Sequence, residues 1–336
     1  MAPMAGACPP GLAAAVANAG GMGGCGALLM KPDEIGEWAT RFRAASNGAF
    51  QMNLWIPDPA PERDPAQEAA VRQFLSGWGP EPAPDAGDLS LPDFDAQCRA
   101  LLASRPQVVS SIMGLYPDDF VAAMKQAGIA WFATATTVGE ALEAEAAGAD
   151  AIIAQGMEAG GHRGAFEAGH AETSLVGSMA LIPAIADAVD LPVVAAGGIA
   201  DGRGVAAALV LGASAAMVGT ALLRSPEAEI APAWADAIAK ARPEHTLTTR
   251  AFSGRLGRSL RTAYAEAWRE EGAPLPAPYP IQRNLTAGLR REGLRDNDID
   301  RIQAWAGQAS ALAPRLPAAE IVERMWADAE RLLPAG

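Results

Sequence analysis

Short apolar runs alternate with amphipathic stretches through the first two thirds of the chain. Each run is bounded by glycine, proline or polar residues, which is the pattern of buried strands. The runs lie at residues 22–27, 50–55, 107–112, 129–135, 150–154, 192–196 and 215–220. Between them, residues 12–18, 31–45, 117–126, 138–147, 175–189 and 203–211 are predicted to be helices.

This alternation predicts a parallel sheet, because consecutive strands joined by right-handed helical crossovers run in the same direction. A short apolar stub at residues 1–4 brings the number of strand–helix units to eight. Eight units favour a closed (β/α)8 TIM barrel over an open α/β sheet. A first strand lost outright would leave its neighbours with unpaired edges.

Two glycine clusters resemble the dinucleotide-binding fingerprint, so an open, dinucleotide-binding α/β sheet is the alternative to the barrel. Gly21-x-Gly23-x-x-Gly26 matches the fingerprint but leads into an apolar strand instead of a helix. The second cluster, at residues 202–207, lies between strand and helix, but no acidic residue follows at the distance of a ribose contact. The barrel therefore remains the preferred fold.

The barrel is predicted to span residues 1–224, with two additions. Residues 57–104 contain prolines, glycines and acidic residues around one amphipathic stretch at 68–78, which indicates a surface excursion, with a lid as an open alternative. Residues 225–336, called the appendage below, follow a helical pattern interrupted by prolines at 274–280. We expect the appendage to pack on one face of the barrel.

The richest candidate chemistry follows the strand at residues 150–154. Four glycines are interleaved there with Gln155, Glu158, His162 and Arg163. Polar side chains at the carboxyl end of a barrel strand are typical of an active site, and glycine lets the backbone approach a ligand. His162 is the only one of the three histidines in such surroundings, so it is the candidate catalytic residue. His170 and His245 are expected on the surface, and Glu158 and Arg163 are expected to form a structural ion pair.

The last two predicted strands suggest a phosphate site. The first ends at Gly197-Gly198 and the second at Gly219-Thr220, where backbone N–H groups and the threonine hydroxyl can hold a phosphate without lysine or arginine. The plainer interpretation is that these glycines only end strands. The amides of Asn53 and Gln155 are likewise suited either to the edge of a flavin or to tying a loop.

Charge and cysteine usage narrow the function classes. A formal net charge of −13 argues against nucleic acid and against an anionic membrane surface as partners. Three widely spaced cysteines exclude a cysteine zinc site and suit a reducing compartment, and His162 has no clustered carboxylates for a metal. No segment has the character of a membrane span or signal peptide, so we expect a cytoplasmic protein.

Several motifs together resemble the nitronate monooxygenase family, and the tail resembles its bacterial class I branch. The resemblance covers nearly the whole chain, and its glycine–histidine element at residues 158–162 is quite specific. The motifs lie at residues 2–6, 155–164, 195–202, 217–220, 249–255, 278–282 and 305–308.

The resemblance implies an FMN-binding barrel whose members oxidise alkyl nitronates, such as propionate 3-nitronate, with O₂ to a carbonyl compound and nitrite. It places His162 at the catalytic position and assigns Tyr279 to substrate binding. His162 would orient the anionic nitronate, or act as a base where a neutral nitroalkane is used. The implied FMN-binding residues are Met4, Asn53, Gln155, Gly160, Gly161, Gly198, Met217, Val218, Gly219 and Thr220.

Two departures from the family and two other functions remain open. The first departure is strand one, which is only a stub here, either because the first strand is short or because the start site is misassigned. The second is Met217-Val218, which replace the family's usual glutamine and methionine.

The same scaffold would also suit an NAD(P)H-dependent quinone or enoyl-thioester reductase. A flavin-binding protein without turnover is the alternative outside enzymes. A homo-oligomer is possible in each case.

Overall fold

The computed structural model describes residues 1–334, which form a seven-stranded parallel sheet surrounded by helices. The strands are β1 (Gly23–Gly26), β2 (Phe50–Trp55), β3 (Val108–Ile112), β4 (Ala130–Ala135), β5 (Ala151–Gln155), β6 (Gly161–His162), β7 (Val193–Ala196), β8 (Ala215–Met217), β9 (Thr246–Thr249) and β10 (Gly257–Leu260). The helices are α1 (Pro10–Asn18), α2 (Pro32–Ala45), α3 (Pro65–Leu75), α4 (Phe94–Ser104), α5 (Asp118–Gln126), α6 (Val138–Ala146), α7 (Ser178–Ala186), α8 (Gly202–Val210), α9 (Pro232–Lys240), α10 (Ala263–Ala267), α11 (Ile281–Leu285), α12 (Ala287–Asp296) and α13 (Ala318–Leu332).

The main sheet confirms the predicted TIM-barrel-like fold. Its strand order is β1-β2-β3-β4-β5-β7-β8, and every neighbouring pair is parallel. All five residues of β5 and all four of β7 are buried, because helices cover the outside and side chains fill the inside. This double burial explains why the strands appear in the sequence as unbroken apolar runs.

Residues 1–5 occupy the gap between β8 and β1 without forming a regular strand. The Met1 ammonium donates to the carbonyl of Met22 at 2.9 Å, and the N–H of Ala2 donates to the carbonyl of Val218 at 2.8 Å. A Cβ at Gly24 would lie 2.7 Å from the Met1 carbonyl oxygen, so a residue with a side chain would collide there. The low bulk of β1 therefore lets the stub bridge the two edges of the sheet.

The predicted excursion at residues 57–104 divides into two parts. α4 is the crossover helix between β2 and β3, and the Gln97 amide on it donates to the carbonyls of Ala27, Leu28 and Met30. α3 instead contributes Val71 and Leu75 to a second apolar cluster shared with the appendage. The excursion therefore supports the appendage, and none of its described residues lines the cavity described below.

The expectation of a purely helical appendage is wrong at β9 and β10. These two short strands pair antiparallel, and β10 also pairs with β6, so that Gly257 lies opposite His162. Each has only four residues, too few for a period in the sequence to separate a strand from a turn of helix.

The last helix of the appendage returns to the barrel. α13 packs against α8 and α1, which is the position of the eighth helix of the ring. A Cβ at Gly202, the first residue of α8, would lie 2.4 Å from the Asp328 Cβ, which shows how closely the two helices approach. The chain thus leaves the barrel after β8, builds the body of the appendage, and then completes the ring.

Two further expectations concern the cysteines and the membrane. Cys8, Cys25 and Cys98 are free and buried, as predicted for small core thiols. Within residues 1–334, none of the helices combines the length and the apolar character that crossing a bilayer requires.

Candidate active site

A cavity of about 520 Å³ lies at the carboxyl ends of the parallel strands, beneath the appendage. It contains all but two of the residues predicted for the site. The predicted residues that line it are Met4, Asn53, Gln155, Gly160, Gly161, His162, Gly198, Met217, Gly219 and Thr220. Val218 and Tyr279 are not among the lining residues. Ser253, Arg283, Arg290, Trp305 and Gly307 line it from the appendage.

His162 is held between two tryptophan rings and one serine. Its ring centroid lies 4.5 Å from that of Trp55 and 4.8 Å from that of Trp305, both in edge-to-face geometry. Its Nε2 atom is 2.8 Å from the Ser253 hydroxyl oxygen. No residue of the described chain makes a hydrogen bond to its Nδ1 atom, so this nitrogen is available to a ligand.

The surroundings keep the imidazole of His162 neutral. Its pKa is lowered to about 3, chiefly because burial penalises the charged ring. The positive charges of Arg255, Arg283 and Arg290 lower the pKa in the same direction. Near neutral pH the ring therefore carries one proton and can either donate or accept a hydrogen bond at Nδ1, depending on its tautomer.

Ser253 lies on the loop between β9 and β10, and a buried ion pair fixes that loop. Its hydroxyl oxygen accepts from the N–H of Arg255 at 3.3 Å, and the carbonyl of Arg255, at 3.2 Å, is an acceptor for the hydroxyl proton. The Arg255 side chain is 2% exposed, pairs with the carboxylate of Asp58, and donates to the carbonyl of Ala165 at 2.9 Å. The position of His162 thus depends on residues far apart in the sequence.

At another corner of the cavity, glycines and one threonine present backbone to the interior. Gly198 has a φ of +75°, in the left-handed region that favours glycine. The Thr220 hydroxyl accepts from the N–H of Gly307 at 3.0 Å, which leaves its own proton free. A Cβ at Gly160 would lie 2.5 Å from the carbonyl carbon of Ala306, so only glycine fits between the two segments.

The two amides predicted at the site have different roles. The side-chain amide of Asn53 donates through Nδ2 to the carbonyl and the hydroxyl of Ser110. The side-chain oxygen Oδ1 of Asn53 has no hydrogen-bond partner in the described chain. Gln155 donates to the carbonyl of His162 at 3.0 Å and accepts from the N–H of Gly164 at 2.8 Å. Gln155 therefore ties the histidine loop, whereas Asn53 has an acceptor for a ligand.

Glu158 and Arg163 do not form the predicted ion pair. Glu158 accepts from the N–H and the hydroxyl of Ser178, both at 2.9 Å, at the start of α7. Arg163 donates to the backbone carbonyls of Gln155, Thr136 and Ser174. Each side chain is thus held by a different segment of the chain, so nearness in sequence does not bring the two charges together. Of the other histidines, His170 is exposed, whereas His245 is half-buried.

Three comparisons relate this geometry to known proteins. The family model described as "Nitronate monooxygenase" matches residues 1–328. The chain is 39% identical over 334 residues to the nitronate monooxygenase of Paraburkholderia phytofirmans, covering 96% of this chain and 90% of that protein. The chain belongs to the nitronate monooxygenase family.

Two solved structures agree with this membership. The nitroalkane oxidase from Streptomyces ansochromogenes superposes with a TM-score of 0.88 at 36% identity, covering 98% of this chain and 94% of that one. FabK from Thermotoga maritima superposes less well, with a TM-score of 0.76 at 29% identity over 98% and 91% of the two chains. A nitronate monooxygenase is an oxidoreductase, so the chain is an enzyme of that class.

The sequence did not reveal the cavity-lining residues that the appendage contributes. Ser253 and Trp305 lie within motifs that carry the resemblance, yet the sequence analysis assigns no role to either of them. Arg283 and Arg290 carry no local signal, although Arg283 follows Tyr279 by only four positions. The ring of Tyr279 packs on that of Trp55, with 5.3 Å between the two ring centroids. The buried hydroxyl of Tyr279 has no hydrogen-bond partner in residues 1–334. Within these residues there is also no cluster of side chains suited to a metal ion.

Proposed function

We propose that this chain is an FMN-dependent nitronate monooxygenase, which oxidises alkyl nitronates with O₂ to a carbonyl compound and nitrite. The observation that carries the proposal is a neutral, aromatic-flanked His162 facing a cavity whose other wall has the features of a flavin site. Family membership supports oxidation of a nitronate, and the cavity supports the cofactor.

The residues present fit FMN. The corner of Gly198, Gly219 and Thr220 offers backbone N–H groups and a free hydroxyl proton, which suit a phosphate. The unpartnered side-chain oxygen Oδ1 of Asn53 suits an N–H group at a flavin edge. The volume of the cavity lies within the range of cofactor sites. When bound there, FMN supplies the redox chemistry that no side chain of the site provides.

His162 would orient the substrate through its free nitrogen. This role requires the tautomer in which the Ser253 hydroxyl donates to Nε2, at 2.8 Å, and not to the Arg255 carbonyl, at 3.2 Å. The ring proton is then on Nδ1 and can be donated to an oxygen of the nitronate. The flanking Trp55 and Trp305 would restrict the ring to one orientation and keep water from the reacting carbon.

The low pKa of His162 favours a nitronate over a neutral nitroalkane as substrate. A base is effective when its pKa is near the working pH, and an imidazole with a pKa of about 3 removes a carbon-bound proton poorly. The nitronate has already lost that proton. Binding and orientation are then the tasks left to the protein.

The first test is nitrite release by FMN-loaded protein in air. We expect release from propyl-1-nitronate and much slower release from freshly dissolved, neutral 1-nitropropane. His162→Ala is expected to lower kcat/KM by about a hundredfold, the scale of a lost catalytic contact. His170→Ala, at an exposed position, is the matched control and is expected to retain the wild-type rate.

Two results would contradict the proposal. One is the absence of nitrite with either substrate from protein that contains FMN. The other is rapid anaerobic bleaching of the flavin by NADH or NADPH, which would favour the reductase alternative.

A further inference from the structure

Two of the three buried cysteines lie side by side where the N-terminal segment, residues 1–8, meets β1. Cys8 ends that segment, Cys25 lies on β1, and their thiols are close enough to shift each other's pKa. The backbone N–H of Gly26, the residue after Cys25, donates to Cys8 Sγ at 3.2 Å. The sulfur of Cys8 therefore lies against the backbone that carries Cys25.

The two thiols of this pair differ in acidity. The pKa of Cys8 is lowered, chiefly because the Cys25 thiol donates a hydrogen bond to its sulfur. Burial opposes this shift, and the backbone N–H groups of Gly26, Met4 and Ala7 lower the pKa further. The pKa of Cys25 is raised, because its proton is held by Cys8 and because burial penalises a thiolate. Cys8 is therefore the nucleophilic sulfur of the two, and Cys25 is placed to resolve what it forms.

Cys98 on α4 provides an internal comparison. Burial and the nearby carboxylates of Asp95 and Asp119 raise its pKa to about 12, which makes it a poor nucleophile. Because the chain has three cysteines and the other two face each other, Cys98 has no thiol to pair with.

The pair lies one residue behind the wall of the cavity. Ala7 precedes Cys8 and Gly26 follows Cys25, and both of these neighbours line the cavity. Neither neighbour has a side chain larger than a methyl group, so little bulk separates the two sulfurs from a small molecule in the cavity. An uncharged oxidant of the size of hydrogen peroxide suits this position.

We propose that Cys8 and Cys25 form a redox-sensitive pair, which a hydroperoxide converts into a disulfide and a thiol reductant restores. The Cys8 thiolate attacks one peroxide oxygen and the O–O bond breaks. The departing hydroxide takes up a proton and leaves as water, and Cys8 becomes a sulfenic acid. The Cys25 thiol then attacks the sulfenic sulfur, whose hydroxyl group leaves with the thiol proton as a second water. The two sulfurs lose two electrons in all, and the peroxide accepts them.

The bond would link two parts of the cavity wall, and this inference is independent of the proposed function. It would close a loop over residues 9–24, which include α1, and join the segment that holds the lining residues 2–7 to β1. A crosslink of this kind restricts the unfolded chain, so the oxidised protein is expected to be the more stable form. In a reducing compartment such a bond is transient, as is typical of a redox sensor.

The first experiment exposes folded, full-length protein to hydrogen peroxide and counts the free thiols after unfolding. Wild type should fall from three thiols to one, and dithiothreitol should restore all three. The pair should react at least about tenfold faster than Cys98, because a lowered pKa favours the reactive thiolate. Trypsin leaves both cysteines of the pair on one peptide, residues 1–41, since Pro32 protects the bond after Lys31. The oxidised peptide should lack two hydrogens and resist alkylation.

Thermal unfolding is the second readout. Oxidation should raise the Tm of wild type by about 4–10 °C, and dithiothreitol should reverse the rise. Cys25→Ala should show no rise, and its Cys8 should be trapped by dimedone as a sulfenic acid. Cys98→Ala is the matched control: it removes a buried thiol of the same size and should form the disulfide as wild type does.

Four outcomes would overturn the inference. Three thiols after treatment would mean that peroxide does not reach the pair, and equal rates for all three cysteines would mean that oxidation follows general opening of the fold. A peptide that gains oxygen atoms without an S–S bond would mean that the two sulfurs do not meet. A disulfide that leaves the Tm unchanged would reject the link between the N-terminal segment and β1. The wild-type measurements need no variant, so they decide the matter even if Cys25→Ala does not fold.

Discussion

The two walls of the cavity are built in different ways. The barrel wall consists largely of backbone, glycines and neutral side chains at the ends of parallel strands. The appendage wall supplies Ser253, Trp305 and the two arginines, brought together from segments that are distant in sequence. Under the proposed function, the barrel would provide the cofactor site and the appendage would determine which substrate is bound there.

The strongest way to test this comparison is to break the ion pair beneath the appendage wall. Arg255→Met should lower the free energy of unfolding by about 3–5 kcal/mol, because it leaves the Asp58 carboxylate unpaired in a mostly buried setting. Chemical denaturation measures the change. The double variant with Asp58→Asn should recover part of the stability, and failure to recover any would show that packing of Arg255 matters more than its charge.

A smaller effect is expected where the two walls meet. Gly160→Ala should cost about 1–3 kcal/mol, because its Cβ would collide with backbone atoms of Ala306 and Gly307 that cannot move independently. We expect weaker retention of FMN as well, measured by absorbance after gel filtration. Gly169→Ala, in an exposed stretch of the same loop with open space at its Cβ, should change stability by less than about 0.5 kcal/mol.

The third test concerns acid stability, where the effect is small per pH unit and accumulates over several units. The pKa of His162 is lowered in the folded state, so between about pH 3 and pH 6.5 the unfolded chain binds the extra proton. The stabilisation that the neutral His162 ring gives the folded state is therefore complete above pH 6.5. As the pH falls, the free energy of unfolding decreases by at most about 1.4 kcal/mol per pH unit. His162→Gln should show a shallower decline than wild type over this range. Parallel curves for the two proteins would mean that His162 titrates normally.

The barrel wall was largely predictable from the sequence, for a physical reason. Strands buried on both faces must be apolar throughout, and glycines that end them must face a ligand or another backbone, so residues 150–164 and 195–198 carry local signals. The appendage wall has no such signal. Arg283 looks like any surface arginine of a helix, and only the three-dimensional structure shows that it has no carboxylate partner within residues 1–334.

Local patterns also failed where a partner lies far away. The amphipathic pattern of α13 predicts a helix, but its contact with α8 joins residues more than a hundred positions apart. Likewise, β9 and β10 are too short to be recognised until β6 is placed beside them. Tertiary contacts thus determine where α13 lies, and for β9 and β10 they determine the strand itself more than local propensity does.

The position of α13 also has a consequence for how the molecule is made. Residues 318–332 close a ring whose first helix, α1, emerges from the ribosome some three hundred residues earlier. The ring of helices cannot be completed during synthesis of the barrel strands, and α1 and α8 must wait with exposed apolar faces while the rest of the appendage is added. Completion of the helical ring is thus a late event, which follows translation of the segments that cover the candidate active site.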